Sequence, residues 1–195
     1  MNSRRHFLLK SSTGALLTGL TLAGCTTTGP NSASSDPAAH RHNIDASVNE
    51  TLTRLYSTVH GSHELVEKAR GVLVFPSVIA AGFWVGGQFG EGALRINGTT
   101  AGYYSTTSAS IGLQIGAQSK AIIFLFMNDH ALSEFRNSEG WSAGGDASVA
   151  VLQMGANGNV DTSTATAPIL AFVMTNAGLM ANLSLEGTKV SRLLL

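Results

Sequence analysis

Apolar residues recur at three- and four-residue steps from Ile44 through Val48, Leu52, Leu55 and Tyr56 to Val59, and this spacing stacks them on one face of a helix. Asn43 is placed to cap it, and Asn49, Glu50, Thr53 and Arg54 form the opposite face. Gly61 breaks the helix. A second, short helix is expected over 62–69, with Ser62 as its cap, Glu64 in the first turn, and Lys68 and Arg70 where the dipole favours cations. Gly71 is expected as its C-terminal stop.

From Val72 the period changes to two. Val72-Leu73-Val74-Phe75 reads as a buried strand ended by Pro76, and 82–96 as a long bent strand interrupted by glycines. Asn97-Gly98 is a hairpin signal, with 101–107 as the returning strand. Ile111, Leu113 and Ile115 alternate with small or polar residues. The continuous apolar run over 121–127 predicts a strand buried on both sides. A short helix over 129–136 follows, capped by Asn128 or Asp129, with Leu132 and Phe135 facing inward. Strands are then expected over 147–154 and 169–175, with a turn at Asn157-Gly158, and a last one carries Leu179, Ala181, Leu183 and Leu185.

Glycines inside strands weaken them unless the sheet bends or another backbone approaches closely. Gly82, Gly86, Gly90 and Gly92 share one parity, as do Gly112 and Gly116. The expected fold is therefore α+β: N-terminal helices packed on a strongly curved, Gly-rich antiparallel β-sheet or partial barrel. Glu91 and Arg95, also of one parity, are expected to pair on the surface.

The first 24 residues have a different pattern. Arg4, Arg5 and Lys10 precede an apolar stretch with no acid, in the order of a secretory signal and too short to span a bilayer permanently. Ser3-Arg4-Arg5-His6-Phe7-Leu8 resembles the twin-arginine export motif, with Arg4, Arg5 and Phe7 as its signal residues; paired arginines also occur in ordinary secretory signals. Leu22-Ala23-Gly24-Cys25 resembles a bacterial lipobox. That resemblance implies a signal peptide over 1–24 and acylation of Cys25, the single cysteine of the chain. Thr26 follows with no aspartate at that place, which by the same resemblance implies the outer membrane, facing the periplasm or the cell surface. The stretch 25–42, with Pro30, Pro37 and many small polar residues, is expected to be a flexible tether, leaving 43–195 as the folded domain.

The chain balances 12 basic against 12 acidic residues, and without Arg4, Arg5 and Lys10 it keeps 9 basic residues, a net of −3. This excludes a nucleic-acid footprint and adhesion to anionic membrane by bulk charge. Charged residues make up 12% and hydrophobic ones 44%, so a compact core is expected rather than disorder. No cysteine pairs support it.

Enzyme signatures are missing: no G-x-S-x-G elbow, no H-E-x-x-H, and no thiol nucleophile once Cys25 is acylated. The glycine-dense 86–92 lacks dinucleotide spacing and reads as part of a bent strand. His40, His42, His60 and His63 lack partner cysteines and read as solvated, so neither a metal nor a cofactor is expected. Asp146 beside Gly144-Gly145 reads as a turn former.

Five blocks in order carry a family resemblance: 68–76 (Lys-Ala-Arg-Gly-Val-Leu-Val-Phe-Pro); Ala81-Gly82-Phe83 with Gly86-Gly87 and Gly90; 110–116 (Ser-Ile-Gly-Leu-Gln-Ile-Gly); 144–149 (Gly-Gly-Asp-Ala-Ser-Val); and Gly178-Leu179 with Leu185-Glu186-Gly187. Together the chain over about 50–190 resembles the SYLF domain, known in eukaryotic relatives for binding phosphoinositides and, in some, actin filaments. The resemblance implies a lipid-binding module, and for want of a convergent acid, base or nucleophile set no enzymatic activity is expected. Its partner would be membrane lipid, through phosphoinositide-like or other anionic headgroups; actin is not carried over to a periplasm. Arg54, Lys68 and Arg70 are the candidate headgroup contacts. Phe83 and Trp84 are candidate interfacial anchors, with core packing as the other reading. The alternative function is a structural module that binds another envelope protein, with the lipid anchor serving only to localise it.

Overall fold

The computed structural model describes residues 36–82, 84–112, 118–153, 160, 166–176, 178–180 and 185–195. Cys25, Arg4, Arg5, Phe7 and Phe83 lie outside them, as do the Asn157-Gly158 turn and the positions Leu113, Ile115, Ala181 and Leu183.

The first helix, α1 (Pro37–Thr58), begins six residues before the expected Asn43 cap. The reason is local: Asp36 accepts the amide of Ala38 at 2.9 Å as N-cap, and Pro37 supplies a first-turn φ without needing its missing N–H. Residues 37–42 of the expected tether are thus helical. Ile44, Val48, Leu55 and Val59 are buried as the period requires, with Leu52 and Tyr56 packed against them. In α2 (Ser62–Lys68) the cap is Gly61, in the left-handed region at φ 82°, and not Ser62. Ser62 lies inside the helix, buried, and its hydroxyl donates to the carbonyl of Leu55 at 3.2 Å, tying the two helices together. Gly71 does not stop α2; it opens the first strand.

Among the described residues, nine strands form one mixed sheet that curls into a half-barrel. They are β1 (Gly71–Gly82), β2 (Trp84–Ile96), β3 (Thr99–Gly112), β4 (Gln118–Phe126), β5 (Trp141–Ser142), β6 (Val149–Val151), β7 (Ile169–Thr175), β8 (Gly178–Leu179) and β9 (Lys189–Leu193). The spatial order is β5-β9-β3-β2-β1-β4-β7-β6, with β8 on β7. All named pairs are antiparallel except β6 with β7, a departure from the all-antiparallel expectation. The hairpin between β2 and β3 turns at Asn97 (φ 50°) and Gly98 (φ 78°), the two positive φ values of a type I′ turn.

Pro76 does not end β1. It sits at a register shift between Val74 and Ser77, where an irregular ladder tolerates a residue without an N–H, and the strand runs on to Gly82. Gly92 on β2 receives this bulge: a Cβ there would overlap the Val74 carbonyl, and one at Gly90 would come within 2.8 Å of the Ser77 carbonyl. The shared glycine parity therefore allows close backbone approach where the sheet curls.

Both faces of the central strands are buried, so β4 is apolar throughout from Ala121 to Phe126. One face holds Leu73, Phe75, Phe124 and Phe126 under α3 (Asp129–Asn137), whose Phe135 and Leu132 point inward as expected. Asn128 caps α3 through its side chain. Trp141 closes this side, edge-on to Phe124 and Phe135. The other face, with Val72, Val74, Ile123, Leu125 and Phe172, is covered by α1. β9 was not expected; its alternation is short, and Val190 is its one fully buried side chain.

Candidate functional site

Helix α1 is held on the sheet by a polar node. Asp45 accepts from Thr100 Oγ1 at 2.7 Å and Arg95 Nη2 at 3.2 Å through one oxygen, and from the Tyr103 hydroxyl at 2.8 Å through the other. Arg95 Nη2 also donates to Asn49 Oδ1 at 3.1 Å, and Nη1 reaches the Gly98 carbonyl at 3.3 Å. Burial, then the hydrogen bond to Asp45, raises the Tyr103 pKa above its ordinary value. The Arg95 Nε–H is buried without an acceptor among the described residues. A donor left so costs roughly 1–3 kcal/mol.

The expected Glu91–Arg95 pair is not formed. Both side chains do share the α1 side of β2, but α1 supplies a partner to each. Arg95 takes Asp45, and Glu91 Oε2 meets His40 Nε2 at 2.8 Å. His40, expected to be solvated, thus joins the first turns of α1 to β2.

The headgroup candidates fall on α1 (Arg54), the end of α2 (Lys68) and the segment just before β1 (Arg70). Lys68 is 2.7 Å from Glu64, one turn earlier on the same exposed helix face, and that contact lowers the Glu64 pKa. Arg70 stands 3.8 Å from Asp129 of α3. Arg54 is half-buried on α1, beside a shallow cavity with Glu50 and Ser77. The backbone of Trp84 starts β2 opposite Gly112.

An unpredicted feature lies beside the His40–Glu91 contact. Ile79 on β1 and Phe89 on β2 are cross-strand neighbours, 52% and 53% exposed. With Leu194 they are the large hydrophobic side chains left exposed among the described residues. They edge a cleft of about 320 Å³ whose other walls include Ile44, Pro76, His40 and Glu91. Strand alternation marks Phe89 as a side chain on the α1 face of β2. Nothing local reveals that α1 ends its cover at His40 and leaves Phe89 open.

A second cavity, about 260 Å³, lies among α1, α2 and the β2–β3 turn; Leu52, Tyr56, Val66 and Val72 give it an apolar wall, with Arg95 and Glu67 as its charged groups. Burial, with the nearby Glu67 charge, raises the Tyr56 pKa, so this phenol stays protonated. A third, polar cavity borders Gly144, Gly145 and Asp146. There the Asp146 carboxylate accepts the Ser142 amide at 2.6 Å, which is the turn-forming role expected of it.

Residues 107–192 match the model of the Ysc84 family, described as Las17-binding protein actin regulator. The match spans β3 to β9 and includes the 110–116, 144–149 and 178–187 blocks. No curated protein matches the chain.

Proposed function

From the match of residues 107–192 to the Ysc84 family we propose that the chain carries a SYLF-type domain and is an envelope lipoprotein whose domain contacts phospholipid through the flank of the β1–β2 hairpin. The single observation that carries this is the Ile79–Phe89 pair, an apolar surface left open between a helix end and a hairpin. Its rim, His40 with Glu91, is polar, which suits a group seated at a water–lipid boundary. Acylation of Cys25 would deliver the domain there. Ten residues lie between Cys25 and Asp36, a span of at most about 40 Å when extended. That reach brings the start of α1, and the cleft one turn along it, to the surface of the bilayer.

Under this reading Lys68 and Arg70, each already facing an acid, do not define the contact. Bulk charge contributes little, and apolar insertion carries the affinity. The test is co-sedimentation of the chain lacking residues 1–25 with phospholipid vesicles. Binding to both neutral and anionic vesicles supports the proposal, and no binding to either refutes it. Replacing Cys25 by Ser in cells separates the anchor from the domain: the exported protein should leave the membrane fraction largely, though not wholly.

The structural-module alternative draws on the same apolar pair as a protein contact. Recurrent cross-linking from position 89 to one envelope protein, without vesicle binding, would favour it.

A further inference from the structure

We propose that Tyr104, Arg136 and Arg192 form a phosphate site on the α3 side of the sheet, taking inorganic phosphate or a phosphate monoester. The topology brings the three together. Arg192 on β9 is the cross-strand partner of Tyr104 on β3. Side chains paired in this way stand on one face with their Cβ atoms about 4.5–5.5 Å apart. Phe135 of α3 packs its ring on that of Tyr104, centroids 4.9 Å apart, and the next residue, Arg136, lies in the last turn of that helix. Burial raises the Tyr104 pKa, and the charges of Arg192 and then Arg136 pull it back, so both guanidinium groups are within electrostatic reach of this hydroxyl.

All three groups are uncommitted. Both arginines are exposed, and among the described residues neither has an ion-pair partner; Glu134, close to Arg136 in the chain, is 3.5 Å from His130 instead. The Tyr104 hydroxyl likewise has no hydrogen bond among the described residues, yet it is not sealed. Arg95 Nε is the buried side-chain polar atom left without a partner there, so the 6% of Tyr104 that stays exposed includes its hydroxyl. Gly102 keeps that opening: a Cβ there would stand 3.6 Å from the hydroxyl, and a longer side chain would crowd the approach.

The donor set decides the ligand class. Two guanidinium forks and a hydroxyl approach from three different elements, which suits a tetrahedral anion with an oxygen for each. A carboxylate is planar and is filled by one arginine fork. A phosphate monoester offers three acceptor oxygens and a charge of about −1.5 to −2 at pH 7. The site also lies across the sheet from the Ile79–Phe89 pair, since Tyr104 belongs to the core under α3 and Phe89 to the α1 face. It therefore does not rest on the lipid reading.

A free phosphate and a lipid headgroup present the same oxygens, so the test has two arms. In the first, the full chain with Cys25→Ser is titrated calorimetrically at low salt with inorganic phosphate, glycerol phosphate and acetate. Saturable binding is expected for both phosphates, with acetate about fivefold weaker or more. Tyr104→Phe removes a hydroxyl that the fold does not bond; it should leave the urea midpoint unchanged and weaken phosphate about two- to tenfold. Arg136→Gln and Arg192→Gln, on exposed side chains, should each weaken it about two- to fivefold, and the double variant should lose saturable binding. No saturable phosphate binding, acetate bound as tightly as phosphate, or an affinity unchanged by Tyr104→Phe or by the double arginine variant overturns the proposal.

In the second arm, phosphatidylcholine vesicles with and without phosphatidic acid, whose headgroup is a phosphate monoester, are compared. Capture that rises with phosphatidic acid and is lost in the double arginine variant assigns the phosphate to a lipid. Saturable soluble binding without that rise assigns it to a free phosphate, and the site stands. Soluble phosphate binding with no capture by either vesicle would refute the lipid reading and leave this site in place.

Discussion

Phe89 lies directly opposite Ile79 on neighbouring strands, and each keeps about half of its surface in contact with water. Among the described residues, Leu194 is the other large hydrophobic side chain left exposed. Opening this pair to solvent forgoes burial worth roughly 1.5–3 kcal/mol per side chain when complete. Because about half of each side chain is still covered, replacing both with Ser should cost roughly 1.5–3 kcal/mol together, half of full burial at each position. Chemical denaturation measures it. A loss much beyond that would place the pair in the core, where it could not serve a surface role.

The Asp45 node makes a prediction of the opposite kind. Asp45→Ala strips Arg95 of its carboxylate and two hydroxyls of their acceptor. The cost should be roughly 2–4 kcal/mol, somewhat under the value for a fully buried pair because Asp45 is partly exposed. Tyr103→Phe removes one of these hydrogen bonds and should cost about 1 kcal/mol. Urea unfolding of the two single variants and the double variant would show coupling, since both act on one network.

The same tyrosine sets an alkaline limit. Its pKa is raised in the folded state from an ordinary value near 10.0, so the fold holds the phenol proton more tightly than the unfolded chain does. The stability it contributes is full below about pH 10 and is lost as pH rises through the folded pKa. Tyr103→Phe should flatten that decline. Thermal melts between pH 8 and 11 measure it, and an unchanged slope would contradict the assignment.

Lys120, on β4 opposite Val78, has the reverse sign. Burial pushes its pKa below 10.5, so the unfolded chain binds its proton more strongly. The charge costs stability below the folded pKa, and the cost disappears above the unfolded one. Lys120→Met should therefore raise Tm at pH 7, with the gain shrinking toward pH 10.5.

The curl of the sheet is tested at two glycines. Gly92→Ala drives a Cβ into the Val74 carbonyl and should cost about 1–3 kcal/mol, whereas Gly87→Ala meets nothing within 4 Å and should be nearly neutral. Equal effects at both sites would mean that Gly92 does not seat the bulge.

Periodicity made α1, the buried β4, α3 and the Asn97-Gly98 hairpin legible, because each repeats a strong local signal. The glycine parity likewise forecast a curled sheet. What escaped depended on partners distant in sequence. Pro76 looked like a strand end because a proline's missing donor is harmless only at a bulge, and the bulge exists because Gly92 accepts it. Arg95 and Glu91 were paired by parity, which places them on one face correctly but cannot show that Asp45 and His40 come down upon them. The start of α1 at Pro37 was written locally, in Asp36-Pro37, and was obscured by the lack of large apolar residues in the first turn. The open Ile79–Phe89 pair depends on where a helix from elsewhere stops covering the sheet.

The most direct test of the lipid reading is vesicle co-sedimentation of the chain lacking residues 1–25 beside its Ile79→Ser, Phe89→Ser double variant, both verified as folded. Binding by the parent that falls about tenfold or more in the double variant, and persists at high salt because apolar contact is not screened, is the predicted result. Equal binding by the two proteins, or binding that salt abolishes, would contradict the claim that this apolar pair meets the membrane.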